Sequence, residues 1–429
     1  MGDVQNVATV EWTTMSSHPD TSPRARVAAP ARMQHSSRHI GHVFIRGAAL
    51  TLAAVSGFAL VYYQTLSNQF EGAITVKDNS SLVEKLPVQV ETPPPTDGAA
   101  GRALNILLLG SDVRTGGNAR IGGDLGGSTS MRNDTTIIMH ISADRSRVDL
   151  VSIPRDTIVT VPTCTFHDGD TKKGWTGKFN IAFANGGERG DPSEAAACVQ
   201  HTIQQLWGVP IDHYVVVDFT GFIHMIDAVG GVPMCIPERI VSKKAKLDLQ
   251  PGAQILDGYT ALAFARLRTA ETGNVTGSDL QRIDRQQELL YQLARTAMAK
   301  NLLTDVGQLT QLIRAGAESL TMDPTIGSTD YMLGLAFSLR NLDTDNITLT
   351  TMPWEYERPS YNVLIRPEAA QLWDDLINDR PLSVLGADDG WDNARDESLS
   401  GATQPTAPPS DNAEPDRKSV EQILAECTV

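Results

Sequence analysis

The chain has 429 residues, 36 Lys and Arg against 51 Asp and Glu, a formal net charge of −15, and 41% hydrophobic and 20% charged residues. This composition excludes a collagenous, wholly disordered or multispan membrane protein and leaves room for one large or two ordinary domains. An acidic chain is also poorly suited to general nucleic-acid binding, because the phosphate backbone attracts basic surfaces and repels this one, so no nucleic-acid partner is expected.

The charge is unevenly spread. Residues 24–46 hold five Arg and no acid, whereas Asp388 to the end holds ten acidic and three basic residues, about half of the total charge. After the basic stretch, GAALTLAAVSGFALVYY runs from Gly47 to Tyr63 without a charge, and Val43–Ile45 extends it past an Arg46 that can snorkel to headgroups. The predicted membrane span is therefore 43–63, close to the roughly 20 residues a span needs. Arginines before it and the Tyr62-Tyr63 pair after it predict a cytoplasmic leader, 1–42, with everything from 64 onward on the outer, extracellular side of the cell membrane. The rival is a cleaved signal peptide, but the leader is long and polar and no small-x-small site follows. Residues 64–104 are polar, with Pro93-Pro94-Pro95 and a Gly-rich run, and read as a stalk.

From Asn105 the texture becomes that of a folded domain. NILLLG reads as a buried strand, and TTIIMHIS and RVDLVSIP as two more joined by a short polar turn. Asp191-Pro192-Ser193-Glu194 supplies an N-cap, a first-turn Pro and an acid, a helix start. IDHYVVVDF reads as a strand, and Phe222–Ala228, Gly258–Phe264 and Asp279–Lys300 as helices. This alternation predicts an α/β fold, a layered sheet flanked by helices, following the single transmembrane helix. NITLTTMPW and EAAQLWDDLI carry the ordered texture to Asn378, so the domain is set at 105–378, and the acidic, Pro-containing 379–429 is expected to be disordered apart from a short terminal helix in SVEQILAEC.

Three polar clusters point to chemistry. GSDVR follows the strand NILLLG, and Arg132-Asn133-Asp134 opens the next strand, so Asp112 and Asp134 are expected at neighbouring strand ends. Ligands in open α/β sheets sit there, and two carboxylates with water and phosphate oxygens suit Mg²⁺; the bland reading is a capped turn and a Gly-rich loop. In SIPRD, Pro154 stops the strand and presents Arg155 and Asp156, taken singly a surface pair. In the third, Arg266-Leu267-Arg268 precedes GSDLQRIDRQQ, where Asp279, Arg282 and Gln286 fall on the helix side that Ile283, Leu290 and Leu293 continue. Charges on a buried face are costly unless paired or ligand-bound, which favours a functional role over a solvated face. Arg114, Arg132, Arg155, Arg266, Arg268, Arg282 and Arg285 gather seven guanidinium groups in an acidic chain. Such a set suits a polyanion, and a pyrophosphate fits. No Walker A, G-x-G-x-x-G or G-x-S-x-G pattern occurs, which disfavours nucleotide hydrolysis and serine-esterase chemistry.

In order, NILLLGSDVR, RNDTTIIMHI, LVSIPRDTIVTVP, KFNIAFANGG, IDHYVVVDFTGFIHMIDAVGGV, LDGYTALAFARLR and GSDLQRIDRQQ resemble the LytR-CpsA-Psr family of envelope proteins, densely over residues 105–300 and faintly to 378. The resemblance implies an enzyme, a Mg²⁺-dependent phosphotransferase that moves a glycopolymer from a polyprenyl pyrophosphate lipid to peptidoglycan, forming a phosphodiester. It implies that Asp112 and Asp134 hold the metal, and that Arg132, Arg155, Lys178, Asn180, Arg266, Arg268, Arg282, Arg285 and Gln286 surround the pyrophosphate. Arg155, Asp156 and Asp279 are the catalytic candidates, with Asp156 the candidate for accepting the hydroxyl proton. The long Gly-rich segment between Asp112 and Asp134 departs from the family and leaves Arg114 and Arg120 without an assigned role. The segment FTGFIHMI reads equally as a slot for the lipid tail and as ordinary core, and core is preferred. The competing functions are a pyrophosphate hydrolase using water and a non-catalytic lipid- or wall-binding module. Transcriptional regulation has neither a helix-turn-helix pattern nor a basic face to support it.

All four cysteines lie beyond the span, where disulfides persist. Cys164 follows the IPRD strand and Cys198 lies in the helix capped at Asp191, so these two are the preferred pair; Cys235 and Cys427 stay open. Catalytic or zinc use is not expected without C-x-x-C spacing.

Overall fold

The computed structural model describes residues 75–83, 97, 99–113, 118, 121, 131–275, 277–300, 320–357, 360, 362–384, 420–425 and 427, all within the unit Tyr62–Val429. The expected span at 43–63 and the leader lie outside them, and among the described residues no helix is long and apolar enough to cross a membrane.

The centre is a seven-stranded mixed sheet. In chain order its strands are β1 (Thr75–Val76), β2 (Leu104–Ser111), β3 (Asn133–Ile141), β4 (Val148–Ser152), β5 (His213–Val217), β6 (Leu320–Met322) and β7 (Ile347–Thr351). Their spatial order is β1-β6-β5-β2-β3-β4-β7. β2, β3 and β4 form an antiparallel meander, while β5 lies parallel to β2 and β7 parallel to β4. Alternation along β2 explains its burial on both faces: Leu107 and Leu109 join one apolar cluster, Ile106 and Leu108 the other.

Helices cover both faces. On the first are α1 (Ile181–Gly186), α2 (Pro192–Trp207) and, near the carboxyl end of the domain, α7 (Ala369–Ile377), where Trp207 stacks on Trp373 with ring centroids 4.9 Å apart. α2 starts where the sequence predicts, with the Asp191 carboxylate accepting from the Ser193 N–H. The second face takes α6 (Thr329–Ser338) and part of α5 (Asp279–Ala299). Beside the sheet, α3 (Phe219–Ala228) and α4 (Gly258–Ala265) pack with two hairpins, Val232–Ile236 with Gly252–Leu256 and Ile240–Ser242 with Leu247–Leu249, around a third apolar cluster.

Several boundaries differ from expectation, each for an identifiable reason. The strand in IDHYVVVDF stops at Val217 because the Asp218 carboxylate accepts from the Gly221 N–H and starts α3 at Phe219, not Phe222. The stalk assigned to 64–104 contributes structure: Thr75–Val76 pairs with β6, Lys77 binds Asp191 at 2.6 Å, and buried Asp97 is bonded to the Arg145 guanidinium at 3.0 Å. The tail assigned as disordered from 379 also begins in the fold. Asp379 accepts from the Ala143 N–H and bonds His140 and Arg147, and a short helix, α8 (Val420–Ala425), lies near its end. These contacts are polar and long-range, so hydrophobic texture does not reveal them.

Two disulfides are present, Cys164–Cys198 as preferred from sequence and Cys235–Cys427. The first closes a sequence separation of 34 and is worth roughly 3 to 4 kcal/mol on the loop-entropy view.

The α3–α4 contact aims the basic segment that follows α4. The Gly258 N–H donates to Asp227 Oδ1 at 2.8 Å, and a Cβ at Gly258 would stand 2.4 Å from the Ile223 carbonyl oxygen. We expect Gly258→Ala to push the helices apart and cost about 1–3 kcal/mol, read from denaturant unfolding of the full chain against wild type. An unchanged midpoint would mean that this approach does not constrain the pair.

Candidate functional site

The site lies where β2 and β4 end and antiparallel β3 begins, the same edge of the sheet. Asp112 follows β2; its N–H donates to the Arg132 carbonyl at 2.9 Å and its Oδ1 accepts from the Arg132 N–H at 2.8 Å. This reciprocal pair fixes both ends of the Gly-rich connection. A register shift between Gly110 and Ser111 bends the strand end just before Asp112.

Asp134, second residue of β3, is the electrostatic centre. Arg155 donates to its Oδ1, Arg268 Nη2 stands 3.7 Å from the same oxygen and Arg282 Nη1 3.9 Å from it. Burial raises the Asp134 pKa, but Arg282, Arg155 and Arg268 outweigh burial and hold the carboxyl below its ordinary 3.8. Arg155 also lies 3.8 Å from Asp156, which accepts from Lys178 Nζ at 2.9 Å. Asn180 is placed by its backbone N–H, which donates to the Arg155 carbonyl at 3.1 Å. Arg266, at the end of α4, lies 4.0 Å over the Phe219 ring, a cation–π seat supplied by the first residue of α3.

Asp112, Arg132, Asp134, Arg155, Asp156, Lys178, Asn180, Arg266 and Arg268, all singled out in the sequence, line one cavity of about 1200 Å³. The α5 residues stand differently. Arg282 is 2% exposed and reaches toward the cavity's edge through Asp134. Arg285, expected at the pyrophosphate, is fully buried, donates to the Leu267 carbonyl and faces the Phe264 ring. Burial, and then the charge of Arg282, lowers its pKa to about 10, which still leaves it protonated at neutral pH. Gln286 accepts from Thr135 at 2.8 Å and donates to the Ala265 carbonyl at 3.3 Å. Arg285 and Gln286, expected around the pyrophosphate, thus hold the backbone on either side of Arg266 and are not among the residues that line the cavity. Helix periodicity gives the face of a residue but not whether that face meets solvent, ligand or a neighbouring carbonyl.

Asp279 is the first residue of α5, and its side chain, like Arg114 and Arg120, lies outside the described residues. The FTGFIHMI segment is α3; Phe219 and Ile223 form a small apolar cluster with Leu262, next to Ile121. The cavity also contains residues the sequence did not single out, notably Ser242, Lys244 and Lys246 from a hairpin tip and Tyr259 from α4. Isolated lysines in a polar turn look like any solvated loop, so no sequence signal marks them.

Among the described residues no group of three or more His, Cys, Asp or Glu could hold a metal. The donor set is instead two carboxylates, Asp112 and Asp134, lining one cavity with cationic side chains. That composition fits Mg²⁺, which takes one or two carboxylates and fills its remaining positions with water and phosphate oxygens, and does not fit structural zinc.

Residues 61–377 match the LytR_cpsA_psr family. The chain is 32% identical over 255 residues to LcpB of Corynebacterium glutamicum, covering 58% of this chain and 54% of that protein. It is 27% identical over 246 residues to the polyisoprenyl-teichoic acid–peptidoglycan teichoic acid transferase TagV of Bacillus subtilis, covering 56% of this chain and 57% of TagV. The chain therefore spans little more than half the length of these curated relatives. The crystal structure of protein gbs0355 from Streptococcus agalactiae shares the fold, with a TM-score of 0.51 and 17% identity over 67% of this chain and 91% of the other. With the ordered motifs gathered at one sheet edge and the match spanning most of its length, the chain belongs to the LytR_cpsA_psr family.

Proposed function

We propose that the chain is a membrane-anchored phosphotransferase that moves a glycopolymer from a polyprenyl pyrophosphate carrier onto peptidoglycan. The observation that carries this reading is the convergence of Arg155, Arg268 and Arg282 on one Asp134 oxygen at the wall of a cation-rich cavity in an acidic protein. The name of TagV, a transferase between a polyisoprenyl carrier and peptidoglycan, supports the same direction. Residues 43–63 would hold the domain at the outer side of the membrane, within reach of a lipid carrier.

Arg132, Arg155, Arg266 and Arg268 neutralise the pyrophosphate, and their fixed positions make the site complementary to charge that builds during transfer. A sugar hydroxyl of peptidoglycan attacks the polymer-bearing phosphorus in line. A new P–O bond to the acceptor forms as the bond to the bridging oxygen breaks, and the electron pair leaves on the lipid monophosphate. The hydroxyl proton passes to Asp156, which Lys178 and Arg155 hold at the cavity wall. Arg285 and Gln286 act as positioning residues by fixing the backbone around Arg266. Asp112 and Asp134, which line the same cavity, would hold Mg²⁺, which would supply further charge neutralisation when bound.

Two expected outcomes follow. Arg155→Ala and Asp134→Ala should each lower transfer of radiolabelled glycopolymer from lipid pyrophosphate to peptidoglycan by about 10²–10³-fold, and chelation should abolish transfer until Mg²⁺ is restored. Release of free polymer phosphate to water without transfer would instead assign a hydrolase, and binding without turnover a lipid-binding module. Second, Asp134 contributes stability through a lowered pKa. That contribution is complete above the unfolded-state value near 3.8 and is lost as pH falls through the lower folded value. The stability gap between wild type and Asp134→Asn, read by urea unfolding at a series of pH values, should therefore close only in strong acid; a gap that closes above pH 5 would refute the ion-pair account.

A further inference from the structure

The cavity is larger than a pyrophosphate requires; about 1200 Å³ exceeds the usual range of small-ligand pockets, roughly 300–1000 Å³. Under the phosphotransfer reading, on which this inference rests, the saccharide bonded to that pyrophosphate must run through the remaining volume. The tip of the hairpin Ile240–Ser242 with Leu247–Leu249 contributes to that lining and places Lys244 and Lys246 in the cavity wall.

Several other cations of the site face a carboxylate. Lys178 is matched by Asp156, and Arg155 and Arg268 face Asp134. Among the described residues no carboxylate lies within ion-pair distance of Lys244 or Lys246, although Arg239 and Asp248 pair on the flanking strands of the same hairpin. The tip is also held in place. Ser242 Oγ donates to the Thr269 carbonyl at 2.7 Å, the Lys243 N–H donates to Glu271 at 3.0 Å, and Glu271 N–H donates to the Val241 carbonyl at 2.8 Å. Lys246 itself sits in the left-handed region with φ 55°, where a glycine or asparagine would be easier. The hairpin is thus fastened to the segment just after Arg268.

We propose that Lys244 and Lys246 form a second anion subsite that binds a phosphate or carboxylate group on the saccharide of the donor, beyond the pyrophosphate, and so select anionic over neutral glycopolymers. The selection acts on donor binding, because the group the lysines bind lies beyond the pyrophosphate.

The test uses the full chain in detergent with two synthetic donors, a polyprenyl pyrophosphate bearing a neutral oligosaccharide and the same molecule with a phosphate ester on a sugar. Wild type should show a KM about tenfold lower for the anionic donor, with the preference shrinking as salt is added. Lys244→Gln with Lys246→Gln should remove the preference, and Lys244→Arg with Lys246→Arg should keep it. A preference that survives the glutamine pair, or a fall in kcat shared by both donors, overturns the subsite. If wild type turns over neither donor, equilibrium binding of the two is compared. A preference lost in the glutamine pair then keeps the subsite while the phosphotransfer reading falls, and equal affinities overturn the subsite. Flotation with phosphatidylglycerol vesicles is run alongside, and a glutamine pair that loses vesicle binding but keeps donor preference assigns the lysines to the membrane surface and overturns the proposal.

Discussion

Asp134 has to remain ionised while half-buried among three guanidinium groups, and much of the surrounding structure follows from that requirement. A carboxylate leaving water needs partners of opposite charge with good geometry, or it protonates. The partners come from three separate parts of the chain: Arg155 from the end of β4, Arg268 from the segment after α4, and Arg282 from α5. Each reaches Asp134 only if its own element is seated, so one ion-pair centre reports on the meander, the α3–α4 pair and the long helix together.

The same centre explains why the helix α5 is polar on a face that packs inward. Gln287 donates to Ser152 and Thr351 at the ends of β4 and β7, Gln286 spans from Thr135 to the Ala265 carbonyl, and Arg285 holds the Leu267 carbonyl. Backbone carbonyls at and just beyond a helix end, such as those of Ala265 and Leu267, have no partner within the helix. A helix carrying long amide and guanidinium side chains satisfies them and, in the same stroke, fixes the spacing between the sheet edge and the arginines. An apolar helix would pack as densely but would not set that spacing.

This arrangement was partly legible in the sequence. The runs NILLLG, TTIIMHIS and RVDLVSIP place three adjacent strands because apolar, β-branched residues buried on both faces leave a continuous signal, and Asp191-Pro192 marks α2 because capping is local chemistry. The gathering of Asp112, Asp134, Arg155 and Arg266 in one cavity was legible from strand ends and charge. What was not legible depends on partners distant in sequence. Thr75–Val76 is recognisable as a strand only beside β6, and Asp379 belongs to the fold only because His140, Ala143 and Arg147 meet it. Arg285 and Gln286 carry the same residue types a phosphate site would use, and only the position of the Leu267 and Ala265 carbonyls separates holding a ligand from holding the chain that holds it.

The bond between Cys235 and Cys427 makes the carboxyl-terminal part of the chain a closed covalent ring, since 192 positions separate its two cysteines. Arg266, Arg268 and Arg282 all lie inside that ring, while Asp112, Asp134 and Arg155 lie before it. A single peptide-bond cut anywhere within the ring opens it but severs nothing from the rest, so α5 and the strand that carries Asp134 stay parts of one molecule. After any single cut in that ring, the two halves of the charge centre are therefore kept together by a sulfur bridge and not only by noncovalent contact.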